Sequence, residues 1–286
     1  QPLLYSFFLA LLPLLSSCAS FKQGATLGDP LASRGIGYQP LDPLPVLNIA
    51  NIDNSELTDE DKNAKFLRPL TDETMRLAIG ELQGSEGIVF GPAKMGHKNQ
   101  SYVVILDYMK YTTEQLGIRY RIRSEYNDGT NPIEILDDDE DPLQTSFADQ
   151  DKDNLYKTGI LPVYIGVGLR LTASIKVHSG SVDLGNLFAL GLAAERKQIT
   201  GTLVIQTLGL SGESISTVLP MPAEINTTTI QNAILALGSI KARLYNSDTK
   251  IRPRVLGFYN NLGGGAETVN KVITLLLLRK VQLSML

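Results

Sequence analysis

The sequence is poor in several residue types that would point to a particular chemistry. It contains one cysteine, no tryptophan and two histidines, and aromatic residues make up 7% of the chain. With one cysteine, no disulfide can form within the chain, so the fold has to be held together by its core. The scarcity of aromatic rings weakens the case for a carbohydrate-binding platform, although 11 tyrosines keep that case open.

Basic residues are also not in surplus, because the formal net charge is −4. A surplus of lysine and arginine is the usual signature of proteins that bind nucleic acid or anionic lipid headgroups. We therefore expect no nucleic-acid partner. Hydrophobic residues make up 43% of the chain, which is ordinary for a globular protein.

The chain begins with an apolar run over residues 3–15. This run is shorter than the ~20 residues that a membrane-spanning helix requires. Its length and composition are typical of the apolar core of a secretory signal peptide. No charged residue precedes the run and the first residue is Gln1, so we expect that the basic start of the signal is not included in this sequence.

The apolar run leads into Leu15-Ser16-Ser17-Cys18, an aliphatic residue and two small residues before the only cysteine. This segment resembles the lipobox of bacterial lipoproteins. In that family the cysteine thiol carries diacylglycerol, and cleavage makes the cysteine the first residue of the mature protein. The resemblance implies that residues 1–17 are a signal peptide and that Cys18 is the lipidation site. The alternative is an ordinary signal peptide that happens to contain a cysteine.

The residue after the cysteine is Ala19. In Gram-negative lipoproteins an aspartate at this position favours retention in the inner membrane, so the resemblance implies the outer membrane. Two or more acyl chains give the stable anchoring that one chain cannot provide. The expected partner of the chain's N-terminus is therefore a membrane, which it contacts through lipid.

Composition divides the rest of the chain into four parts. Residues 18–47 are rich in glycine and proline, which break helices and strands, and they predict a flexible tether that follows the lipidated cysteine. Residues 48–133 predict an N-terminal α+β part and residues 159–286 a C-terminal α+β part. Between them, residues 134–158 carry the densest acid of the chain and predict a long surface loop.

Strict alternation of apolar residues over 163–177 predicts a long amphipathic strand with one face in water. Gly166 and Gly168 are the expected positions of a bend or bulge in it. Pro253 favours an edge position for a strand over 250–259. Further strands are predicted over 101–111, 118–126 and 198–210.

Helical spacing and capping residues predict helices over 58–66, 71–84, 184–196, 226–244 and 267–279. Asn226 is the expected N-cap of the fourth, and the last is too short to cross a bilayer and is expected to be buried. Together the patterns predict an α+β fold. Its sheet is mostly antiparallel, with long amphipathic strands and covering helices, after a lipidated N-terminal tether.

Alternate carboxylates at Asp149, Asp151 and Asp153 resemble the start of a calcium-binding loop, because they can converge oxygen atoms on a hard cation. The pattern departs from that loop, since Asn154 stands where glycine is needed and Ile160 where a glutamate should close the site. A solvated acidic loop is the favoured interpretation and calcium the alternative. No other cofactor is expected.

No catalytic residue can be assigned from the sequence. His97 and His178 are not in a metal-ligand spacing, and no Gly-x-Ser-x-Gly motif is present. His178 is interpreted as a surface residue at the end of a strand. The glycines at 263–265 precede a predicted helix and could expose amides to a phosphate, but a turn is the favoured interpretation.

These features favour a non-enzymatic envelope protein, a structural or assembly subunit at the periplasmic face of the outer membrane. Lipid anchoring concentrates copies on a surface, so we expect a homo-oligomer or envelope protein partners. One alternative is a subunit of an oligomeric outer-membrane pore or export complex built on strands 163–177 and 198–210. The other is a cell-wall or glycan hydrolase with facing carboxylates drawn from Asp107, Glu114 and Glu125.

Overall fold

A computed structural model of the chain describes residues 36–47, 49–53, 55–83, 87–91, 95–122, 133–135, 157–279 and 281–283. The predicted signal peptide, Cys18 and the candidate calcium ligands Asp149, Asp151 and Asp153 lie outside these residues.

The strands are β1 (Gly37–Leu44), β2 (Asp72–Gln83), β3 (Gly87–Gly91), β4 (Met95–His97), β5 (Ser101–Ile122), β6 (Ile133–Ile135), β7 (Lys157–Val177), β8 (Ser181–Asp183), β9 (Ile199–Leu208), β10 (Leu210–Ser211), β11 (Ala223–Glu224), β12 (Lys250–Ile251) and β13 (Arg254–Asn260). The helices are α1 (Ile49–Asp53), α2 (Asp59–Leu67), α3 (Leu187–Glu195), α4 (Glu213–Ser216), α5 (Thr227–Arg243) and α6 (Gly265–Arg279).

One antiparallel sheet organises the molecule, with the strand order β1-β13-β7-β5-β2-β3. β9 also pairs with β7, beyond the end of β13, and β6 pairs with the end of β5. The central pair is β5 with β7, whose register runs without interruption from Ser101 opposite Lys176 to Tyr120 opposite Lys157. The predicted α+β fold with a mostly antiparallel sheet is therefore confirmed.

The alternating apolar residues of β7 form the base of the main core. From Leu161 to Val177 every second residue is buried beneath helices. α3 and α5 cover one end of the strand through residues such as Leu190 and Ile230. At the other end, α2, α5 and α6 bury side chains that include Phe66 and Ile240. The alternating sequence of β7 gives the sheet one apolar face, and the helices cover that face with apolar faces of their own.

The opposite face of the sheet was predicted to be in water, and in the middle of β7 this is wrong. Tyr164 and Arg170 are only 4% exposed, because the sheet curls and brings β1 across its inner face. The curl requires close approach of backbones. A β-carbon at Gly168 would lie 1.9 Å from the carbonyl oxygen of Tyr108 on β5. No bulge divides β7, and the irregularity lies on β13, between Val255 and Gly257.

Two predictions about the N-terminal part are wrong. Residues 37–44 of the expected tether form β1, which pairs with β13 at the end of the sheet order, where prolines are tolerated. The predicted helix over 71–84 is β2. Its apolar residues fit both a helical and an alternating pattern, and pairing with β5 along the strand decides for the alternating one.

The edge position predicted for residues 250–259 is also wrong. β13 lies between β1 and β7, and Pro253 falls between β12 and β13, where it interrupts no pairing. The strand predicted over 101–111 and the described part of the strand predicted over 118–126, residues 118–122, belong to the single strand β5. Because β5 and β7 come from opposite sides of the acidic segment, the predicted N-terminal and C-terminal parts share one sheet.

Most of the predicted helices are confirmed. Asn226 caps α5, where its side chain accepts from the backbone of Thr229 and the Thr229 side chain accepts in return. α6 buries Val272, Leu275 and Leu276, as expected of a helix on the core. Among the described residues, no helix is both long enough and apolar enough to span a membrane.

Candidate functional site

The inner face of the curled sheet contains a buried ion pair between Asp107 on β5 and Arg170 on β7. The two residues stand directly opposite each other in the strand register. Asp107 is fully buried and Arg170 is 4% exposed. The Arg170 Nε and Nη2 atoms donate to the two carboxylate oxygens of Asp107, each at 2.7 Å. This is the bidentate geometry in which a guanidinium and a carboxylate interact most strongly.

The ion pair also holds the N-terminal strand β1 in place. Tyr38 Oη donates to Asp107 Oδ2 at 2.5 Å, and Arg170 Nη1 donates to the carbonyl oxygen of Leu41 at 2.7 Å. Arg170 Nη2 donates in addition to the carbonyl oxygen of Leu256 on β13. Four strands therefore meet at one charged centre. We call Tyr38, Asp107 and Arg170 the inner clasp.

The protonation states of the inner clasp follow from its surroundings. Burial, and after it the negative charge of Asp107, raises the pKa of Tyr38 well above its ordinary value, so its hydroxyl remains a donor at neutral pH. Burial alone would lower the pKa of Arg170, but the hydrogen bonds and charge of Asp107 outweigh it and raise that pKa. The clasp is thus a fixed arrangement of one anion, one cation and one neutral phenol.

A second cation, Arg76 on β2, lies next to the inner clasp among tyrosine rings. Its Cζ atom is 4.3 Å from the ring centroid of Tyr164 and 5.7 and 5.9 Å from those of Tyr38 and Tyr111. The Tyr111 and Tyr164 rings meet edge to face, with centroids 5.4 Å apart. Within the described residues, the buried Nε atom of Arg76 has no hydrogen-bond partner. The faces of these rings therefore contribute a cation–π attraction to the Arg76 guanidinium.

Of the carboxylates considered for a hydrolase, Asp107 and Glu114 lie among the described residues and are not brought together. Asp107 points to the inner face, whereas Glu114 lies an odd number of residues further along β5 and points to the opposite face. Glu125 lies outside the described residues. Asp107 has both oxygens engaged and no exposure to solvent, which suits a structural role better than acid–base chemistry.

The strands considered for a pore, β7 and β9, do lie side by side. From Val163 to Leu171, however, every residue of β7 is buried, because helices cover one face and the curl covers the other. In this fold that part of β7 presents neither face to lipid or to a water-filled channel.

Both histidines lie on the surface. His97 is the last residue of β4 and is exposed. His178 directly follows β7 and its Nε2 atom is 2.8 Å from Thr200 Oγ1. The interpretation of His178 as an exposed residue at a strand end is confirmed. Among the described residues, no group of three or more His, Cys, Asp or Glu side chains is placed to hold a metal ion.

The glycines before α6 form a turn, as the favoured interpretation had it. Gly263, Gly264 and Gly265 all have positive φ, which glycine adopts without strain. The buried side chain of Asn260 accepts from the amides of Leu262 and Gly263. Its Nδ2 atom donates to the carbonyl oxygen of Gly263. These amides are therefore already used within the protein.

The chain also forms a polar cavity of about 750 Å³ that sequence reasoning missed. One wall is a face of α2, and the opposite wall is formed by Lys250, Ile251, Arg252 and Arg254. Among the described residues, four basic side chains line the cavity, Lys62, Lys250, Arg252 and Arg254, against one acidic side chain, Asp59. The sequence does contain a pattern that indicates this wall, three basic residues at alternate positions. The negative net charge of the whole chain gave no reason to look for a basic site.

Comparison with protein-family models, with curated proteins and with solved structures finds no match to this chain. The functional interpretation therefore rests on the geometry of the inner clasp, the surface and the cavity.

Proposed function

We propose that the protein is a membrane-anchored structural or assembly subunit of the bacterial cell envelope. Lipid on Cys18 holds it at the periplasmic face of the outer membrane, where copies associate laterally. The observation that carries this proposal is the attachment of β1, the first described strand after the lipobox-like segment, to the centre of the sheet by the inner clasp.

The inner clasp suits a domain that is tethered at its N-terminus. A mechanical force on the N-terminal tether acts first on β1, because β1 is the element nearest to Cys18 in the described chain. β1 pairs with β13 and is also bonded through Tyr38 and Leu41 to the central strands β5 and β7. The load is therefore distributed over the middle of the sheet, as a scaffold protein requires, rather than borne by one terminal strand.

Lateral association is supported by an exposed apolar strip on β2, formed by Met75 and Leu77. These side chains lie on one face of the strand and are 58% and 40% exposed. Beside them, Glu73 pairs with Lys241 of α5, and Lys241 lies over the ring of Tyr108. An apolar strip rimmed by polar groups is typical of a surface that contacts another protein.

The lipid anchor is tested by replacing Cys18 with serine. We expect the wild-type protein to incorporate labelled palmitate, and intact-mass analysis to give a mature chain that begins at an acylated Cys18. The Cys18→Ser variant should incorporate no label and retain residues 1–17, because no thiol is available for lipid transfer. Ser20→Ala, two residues away, is the matched control and should behave as wild type. A mature chain with a bare thiol at Cys18 would end the proposal.

Assembly is tested on protein extracted in detergent, by size-exclusion chromatography with light scattering. We expect the wild type to be oligomeric, and the double variant Met75→Ser/Leu77→Ser to raise the dissociation constant at least about tenfold by removing apolar contact area. Met221→Ser/Leu235→Ser changes the same residue types at exposed positions outside β2 and serves as the control. A monomeric wild type, or equal dissociation by the control pair, contradicts the assembly role.

A further inference from the structure

The polar cavity has two features of a binding site, a cluster of basic side chains and walls that hydrogen bonds hold in place. On its β12–β13 wall, Lys250, Arg252 and Arg254 occupy alternate positions, so that an extended backbone directs them to one side. Lys62 faces them from α2. Among the described lining residues the acidic side chain is Asp59, which is 3.9 Å from Lys250, and both are largely exposed, so this pair offsets little of the charge of Lys250.

Hydrogen bonds hold the two walls of the cavity in a fixed relation. The Asn63 side chain on α2 accepts from the amide of Ile251 at 3.0 Å and donates to the carbonyl oxygen of Thr249 at 2.5 Å. On the other side, the Arg252 amide donates to the carbonyl oxygen of Gly209, a glycine with φ of 66°. The basic side chains therefore extend from a frame that is already formed without a ligand.

The floor of the cavity is apolar. Phe66, Leu210 and Ile251 line it and are each 5% exposed or less. A cavity of about 750 Å³ is within the range that encloses small organic ligands. Apolar side chains close the base of the cavity and basic side chains form its rim, which fits a ligand that binds through a strongly anionic group.

We propose that this cavity binds a phosphate ester. A phosphate monoester carries about −1.5 to −2 charges at neutral pH and presents three strong acceptor oxygens. Guanidinium and ammonium donors on opposing walls match that charge and that number of acceptors. The monoester can be the headgroup of phosphatidic acid or a soluble phosphate compound, and the same donors serve both.

The test uses the full chain carrying Cys18→Ser, so that binding does not depend on an acyl anchor. One arm titrates glycerol 3-phosphate, a soluble phosphate monoester, by isothermal calorimetry. The other measures sedimentation with phosphatidylcholine vesicles that contain or lack phosphatidic acid, whose headgroup is a phosphate monoester. Binding of glycerol 3-phosphate with no preference for the anionic vesicles identifies a soluble ligand, and a preference for the anionic vesicles identifies a lipid headgroup. Binding in neither arm overturns the proposal.

Substitutions of lining residues test whether the phosphate ester binds in this cavity. Lys250→Gln is expected to weaken binding about tenfold and Lys250→Gln/Arg254→Gln about a hundredfold, as charge-assisted hydrogen bonds are lost. Lys98→Gln removes the same charge from an exposed turn outside the lining and should change affinity by less than about twofold. Because the Lys250 side chain is 70% exposed, its replacement leaves the fold intact. Equal losses with Lys250→Gln and Lys98→Gln overturn the proposal.

Discussion

Replacing Asp107 with asparagine is expected to lower the free energy of unfolding by about 3–5 kcal/mol. The change leaves the Arg170 guanidinium buried without its counter-charge and places an amide NH₂ group against its donors. With the amide oxygen in the position of Oδ2, Tyr38 keeps its acceptor, and the loss combines the missing charge of Asp107 with the hydrogen bond from Arg170 Nε. Equilibrium unfolding in urea, followed by far-UV circular dichroism, gives the difference directly.

The matched control is Glu73→Gln, which removes a carboxylate from the ion pair with Lys241. Those two side chains are 42% and 54% exposed, and a pair in water contributes about 1 kcal/mol or less. The triple variant Tyr38→Phe/Asp107→Leu/Arg170→Met should recover part of the lost stability, because it leaves no buried charge or hydroxyl to desolvate, while the carbonyl oxygens of Leu41 and Leu256 lose the donors of Arg170. If Asp107→Asn costs no more than Glu73→Gln, the inner clasp is not a stabilising centre.

The same ion pair shows where reasoning from the sequence reaches its limit. The alternation around Arg170 predicted β7 correctly, because the period of a strand is a local property. The burial of Arg170 is not local. Its partner Asp107 is 63 residues away, and both are covered only because β1 crosses the inner face. A basic residue on the polar side of an alternating strand is usually in water, and nothing near it in the sequence signals otherwise.

The helices and β2 show the same division between local and distant causes. α5 could be predicted because its N-cap Asn226 and its apolar stripe lie within the segment itself. β2 could not, since its apolar residues fit two periods and its pairing with β5 decides between them. The cavity wall at Lys250, Arg252 and Arg254 has a local pattern, but α2, which closes the cavity, is far away in the sequence, since Asn63 and Thr249 are 186 residues apart.

Replacing Gly168 with alanine is the second substitution from which we expect a large effect. A β-carbon there would lie 1.9 Å from the Tyr108 carbonyl oxygen and 3.1 Å from the Met109 Cα atom, both in the backbone of β5. Because a backbone in the longest strand pair cannot move aside as a side chain can, we expect a loss of about 3 kcal/mol, at the upper end for overpacking. Urea unfolding of the purified variant measures it.

Replacing Gly238 in α5 with alanine is the same chemical change, but we expect the opposite effect on stability. Gly238 is exposed, and a β-carbon built there meets no atom within 4 Å. Gly238→Ala should therefore raise the free energy of unfolding by about 0.5–1 kcal/mol, since alanine loses less backbone entropy in a helix. The two variants test the curl itself. If Gly168→Ala is as stable as the wild type, then β5 and β7 do not approach as closely as the curl requires, and β1 cannot reach Asp107 to complete the inner clasp.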